Sequence, residues 1–192
     1  MNEFNNTSGK GPTPREQQRS IYERAAEDGA WLGLFFVVMF AVSVASMHVG
    51  FLNIVALAMG LMVPFIAYRY LWRTYVACHG LIPFSALWMQ GILMFGCASL
   101  ILSMCSFIYM RWINPEFIIG TLRSAVEFYR ENPAEGSDEI AKELQAVIDT
   151  HNVPSPVTVS VMWLWLGAFS GSLLSVFLAL VSRMAKVPRS NS

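Results

Sequence analysis

Three long stretches of this chain contain no Asp, Glu, Lys or Arg: Gly29 to Tyr68, Gly80 to Met110 and Val153 to Ser182. The hydrocarbon core of a bilayer is about 30 Å thick, so a helix needs about 20 mainly apolar residues to cross it. The second and third stretches each suffice for one crossing. The first is long enough for two, and "HVGFLN" (48–53) supplies a turn between them. The sequence therefore predicts an all-α membrane protein with four transmembrane helices, near 30–48, 54–71, 86–110 and 158–182. Composition agrees, because 14% of residues are charged against about 25% in an ordinary soluble domain.

The polar segments divide the rest. Residues 1–28 read as a polar N-terminal tail with a juxtamembrane helix, 29–186 as the four-span membrane domain and 187–192 as a short C-terminal tail. Residues 1–12 are rich in Asn, Gly and Ser, a composition that favours disorder. Thr13-Pro14-Arg15-Glu16 then marks a helix start: Thr13 caps, Pro14 suits the first helical position and Glu16 bonds back to the cap. Mixed charge precedes the first apolar stretch, which is longer than the roughly 7–15 residues of a signal-peptide core. The first span is therefore expected to be retained. Cys78, Cys97 and Cys105 show no paired spacing, so no disulfide framework is expected.

Between the third and fourth spans lies an insertion, 111–156, read as an extramembrane helical hairpin. Asn114 caps its first helix, with Pro115 at the first position and Glu116 at the positive end of the dipole. Ile118, Leu122, Ala125, Val126 and Tyr129 form one apolar face, to about Glu131. "NPAEG" breaks this helix. Ser137 caps the second, whose buried face is Ile140, Leu144, Val147 and Ile148.

Orientation follows the basic residues. With four spans, nine lie on one side: Lys10, Arg15, Arg19, Arg24, Arg69, Arg73, Arg183, Lys186 and Arg189. Four lie on the other, in the insertion, among eight acids. Both termini are expected to be cytoplasmic and the insertion outside.

Aromatic and arginine side chains mark the span ends. "YRYLWRTY" (68–75) interleaves them, but two arginines are too few to track a phosphate backbone, and no nucleic-acid binding is expected. Arg69, Trp72 and Arg73 read as interfacial anchors, as do Arg111 and Trp112 at the end of the third span. Inside the spans the notable polar group is Gln90, suited to a helix–helix hydrogen bond. Gly167 and Gly171 form a GxxxG motif and Ser99 and Ser103 a second small pair; Gly29 and Gly33 make a weaker one. Such spacing lets backbones approach closely, within one chain or in a self-association face. Pro64 in the second span predicts a kink, with a gating hinge as the sharper alternative.

Together these features resemble a family of small four-pass membrane proteins of Bacteroidetes-type bacteria, catalogued as a domain of unknown function. The resemblance rests on Arg69 after the second span, Gly80-Leu81-Ile82-Pro83-Phe84 before the third, "YMRWINPEF" after it and the helical insertion. It covers roughly residues 25–186. The family usually has Gly-x-Ile-Ser-Phe before the third span, so Pro83 departs from it. The resemblance implies the four-span architecture and brings no activity, cofactor or catalytic residue; the expected location is the bacterial cytoplasmic (inner) membrane, as a multi-pass protein.

No constellation here carries a reaction. Cys78-His79 cannot supply the spaced ligands of a closed zinc site, and His48 and His151 are fixed at no common distance. Gly-rich phosphate loops, zincin motifs and nucleophile elbows are absent from the sequence. No cofactor or metal is expected, and no enzymatic activity. Proton and ion paths usually place ionisable residues inside the spans, whereas here they stand at the ends. Two function classes follow. One is a non-catalytic membrane component that binds an envelope partner through the outer hairpin or N-terminal helix. The alternative is a small transporter or channel subunit acting as a homo-oligomer.

Overall fold

The computed structural model describes residues 14–47, 49–78, 81–133, 136–150 and 152–184, with side chains from Ile21 onward. Six α-helices follow in order: α1 Pro14–Ser46, α2 Phe51–Ala77, α3 Phe84–Ile108, α4 Phe117–Glu131, α5 Ser137–Asp149 and α6 Pro156–Met184. A π-helical turn, Tyr109–Ile113, extends α3. Among the described residues there is no strand. The four long helices contain candidate spans at Ile21–Ser46, Phe51–Ala77, Phe84–Ile113 and Pro156–Met184, with mean hydropathies of 2.0 to 2.1. At about 1.5 Å per residue each exceeds the hydrocarbon thickness.

α3 is the hub of the bundle, packed most extensively against α1 and α6. Its small residues explain that position. A Cβ added to Gly29 of α1 would lie 2.8 Å from Cys97 Cβ, and one on Gly33 would lie 3.2 Å from Ala98 Cα. Increasing numbers on α1 thus meet increasing numbers on α3, so the two helices run parallel. α2 is the outlier. Its buried residues, Ala67, Leu71, Thr74 and Tyr75, all lie in its second half. Its first half exposes Phe51, Ile54, Leu57 and Leu61, the surface of a helix facing lipid. Pro64 lies inside α2, which continues through it to Ala77. The ring removes the bond to the Gly60 carbonyl, on a face where Gly60 has open space around it.

Several boundaries differ from the sequence reading. α1 passes through Gly29 without interruption, and Ile21 and Ala25, in the supposed polar tail, are buried. Ile21 belongs to the same core as Leu32, Leu87 and Leu178. The reason is periodicity: Ile21, Ala25, Leu32 and Phe36 share one stripe, and charge occupies the other faces. The first helix of the insertion starts at Phe117, not after Asn114. The Asn114 N–H is bonded to the Tyr109 carbonyl at 2.9 Å, closing the π turn, and its side-chain Nδ2 lies 3.4 Å from Tyr109 Oη. Asn114 therefore ends α3 rather than beginning α4. Gly136 occupies the cap position of α5 with φ 86°, and Ser137 is the first helical residue. Within α5, Ala141 is buried while Ile140 is exposed, which turns the inner face by one residue.

The expected cap at Thr13, the histidines His48, His79 and His151, Gly80, the segment 1–12 for which disorder is expected and the tail 187–192 lie outside the described residues. Pro83 stands at the cap of α3 without a side-chain bond.

Candidate functional site

The helix-packing residues named from sequence converge on two seams of α3. Along the α3–α6 seam the pairs descend in step. A Cβ on Gly91 would meet Ser175, one on Gly171 would meet the Cβ and ring of Phe95, and one on Gly167 would meet Ser99. Numbers rise on one helix as they fall on the other, so the two are antiparallel with a shared four-residue period. At the far end Ser103 donates to the Ser160 carbonyl at 2.8 Å. Small residues every fourth position let the backbones close, and a buried hydroxyl then reaches a main-chain oxygen. Gly167, Gly171, Ser99 and Ser103 thus share one seam. Gly91 and Ser175 complete it, and the extension of Gly167-x-x-x-Gly171 by Ser175 was the signal that could have found them.

Gln90 is not part of that seam. Its Nε2 donates to Thr74 Oγ1 of α2 at 2.8 Å, and the residue is fully buried. Its Oε1 has no partner. No sequence signal points to Thr74, because a threonine three residues before a helix end carries none of its own.

The anchors fall at the two ends of the bundle. At one end Trp72 stacks on Tyr68 with centroids 6.2 Å apart and tilts toward Tyr75 at 5.7 Å. Arg69 and Arg73 beside it are exposed. At the opposite end Arg111 and Trp112 lie exposed on the π turn, with Trp112 edge-on to Phe107 at 6.5 Å. Trp and Arg at those levels suit the head-group layers.

At that second end Phe40, Tyr109 and Phe117 form an edge-to-face cluster with centroid distances of 5.4 to 6.0 Å. Such contacts contribute about 0.5–1.5 kcal/mol beyond area burial. They tie the start of α4 to α1. α4 and α5 then pack against each other, with Val126 and Ala141 buried. Among the described residues no group of three or more His, Cys, Asp or Glu is placed to hold a metal ion.

Four long apolar helices, one of them the close-packed hub α3, define a multi-pass integral membrane protein. Residues 28–184 match the family described as Protein of unknown function (DUF4199), and the chain belongs to that family. No curated protein and no solved structure matches the chain.

Proposed function

We propose that this protein is a non-catalytic component of a bacterial inner membrane that binds an envelope partner through α4 and α5. In this reading both termini are cytoplasmic and α4–α5 stands outside as a hairpin. The observation that supports it most is the surface of that pair. Phe128 and Ile140 are 60% and 41% exposed, each within four residues of the segment joining the two helices. The same two helices also expose charged residues, among them Arg123, Glu127, Arg130, Glu139 and Lys142. Exposed large apolar side chains among charged ones are the residue types that protein interfaces combine.

A photo-crosslinking residue placed at Phe128 in native membranes tests this. The expected result is one discrete adduct, abolished by Ile140→Ser and absent when the same probe replaces the lipid-facing Leu173. Equal labelling at both sites, or solute flux across liposomes containing only this protein, would overturn the reading.

A further inference from the structure

The seam between α1 and α2 carries two adjoining features of opposite polarity. At the Arg73 end, Arg24, Glu27, Asp28, Arg73, Thr74 and Ala77 line a cavity of about 270 Å³. Next to it, Trp31, Leu34 and Val38 of α1 and Met59, Ile66 and Tyr70 of α2 line an apolar groove of about 560 Å³. The residues are continuous in register. On α1, positions 24, 27, 28, 31, 34 and 38 follow helical spacing along one stripe, and on α2 positions 77, 74, 73, 70 and 66 do so in the opposite direction. Cavity and groove are thus successive levels of one cleft, charged at the span ends and apolar toward mid-membrane.

The polar level holds cations and anions together. Asp28 interacts electrostatically with Arg73, Glu27 and Arg24 there, so the two signs are mixed within one space. Thr74 on its wall is braced from behind by Gln90. Arg69 borders the groove where the two levels meet. Ionisable groups at a span end usually meet water, ions or head groups. Here both signs face one small space in helical register with the apolar groove.

We propose that this cleft is a binding site for a phospholipid whose head group carries both a phosphodiester and a primary ammonium. The phosphate lies between Arg73, Arg24 and Arg69, since guanidinium forks match phosphate oxygens. The ammonium lies at Glu27 and Asp28, which accept its N–H bonds. One acyl chain occupies the groove past Trp31 and Val38. A trimethylammonium head group offers no N–H donor to the two carboxylates. An anionic glycerol head group leaves them facing negative charge without a cation.

The test uses the full chain in nanodiscs or mild detergent. After delipidation it is exposed to equal amounts of phosphatidylethanolamine, phosphatidylcholine and phosphatidylglycerol, and retained lipid is measured by native mass spectrometry. The expected result is at least roughly fivefold preference for the ethanolamine lipid, about 1 kcal/mol by the affinity relation. Glu27→Gln should reduce that preference toward the choline level, whereas Arg73→Gln should lower retention of the ethanolamine and choline lipids alike; both positions are exposed. Val38→Trp, which fills the groove, should lower retention, and Leu173→Trp, exposed on α6 and lining neither cavity nor groove, should not. Equal retention of the ethanolamine and choline lipids by the unaltered chain overturns the proposal and requires no variant to fold. Preference for the glycerol lipid overturns it in favour of a purely cationic site. Displacement of bound lipid by chain-free phosphoethanolamine at matched concentration overturns the role of the groove.

Discussion

Gly171 of α6 lies so close to Phe95 of α3 that a Cβ on the glycine would overlap the first carbons of the phenylalanine side chain. One turn away Gly167 stands in the same relation to Ser99. The contact is internal to the chain, so bulk at these positions should act on the fold before it acts on any oligomer. Replacing both glycines with Leu should lower the melting temperature in detergent, since overpacking a close contact costs about 1–3 kcal/mol. Adding Phe95→Ala to Gly171→Leu should recover part of the loss by returning volume to the seam. A double Leu variant that melts unchanged would show that the seam does not hold α6.

Gln90 and Thr74 give an asymmetric prediction. Gln90→Leu removes one interhelical hydrogen bond, worth about 0.6 kcal/mol on average between membrane helices. The same change removes the unpartnered Oε1 from the interior, so the net effect on the melting temperature should be small. Thr74→Val instead leaves the whole Gln90 amide buried without a partner, a loss of about 1–3 kcal/mol. Thermal melts of the two variants should therefore rank Thr74→Val well below Gln90→Leu, and the double variant should resemble Gln90→Leu. A reversed ranking would mean that Gln90 draws its stability from elsewhere.

Element type and number were readable because a bilayer imposes length and apolarity on each crossing, and the uncharged stretches record both. The small residues of the α3–α6 seam were readable for a similar reason: a four-residue repeat has a geometric meaning on any helix. What sequence could not supply was pairing. Nothing in Gln90 names Thr74, and nothing in Gly171 names Phe95, because partner choice depends on how whole helices are rotated. The π turn escaped for a local reason. Asn114-Pro115-Glu116 carries every mark of a helix start, yet the bond from Asn114 to Tyr109 satisfies the end of α3 first. Likewise Ile21 and Ala25 lie among charges in sequence, and only their shared stripe with Leu32 reveals that they are buried.

The α4–α5 pair should come apart when charge enters its inner face. Leu122 and Leu144 both lie partly buried there. Changing both to Asp places two carboxylates where Val126 and Ala141 pack, and an uncompensated buried charge is strongly unfavourable. Backbone hydrogen exchange across 117–149 should accelerate, while α3 and α6 keep their protection. Protection that persists throughout 117–149 would mean that the pair is held by the bundle and not by its own apolar faces.

The proposed orientation rests on the distribution of basic residues, nine against four across the four spans. Cysteine labelling tests it, and the structure selects the reporters. Ser137 is 4% exposed and unsuitable, whereas Asp138 is exposed and Met184 is 83% exposed. The background first requires Cys78→Ala, Cys97→Ala and Cys105→Ala, because all three thiols are free and partly accessible. Ala suits position 97 because it keeps the Cβ against which Gly29 packs. On intact spheroplasts a membrane-impermeant maleimide should label Asp138→Cys at once and Met184→Cys only after lysis. Both sites are accessible in the fold, so a difference between them reports the membrane and not local burial. Labelling of Met184→Cys before lysis, with Asp138→Cys protected, would invert the topology and place α4 and α5 in the cytoplasm.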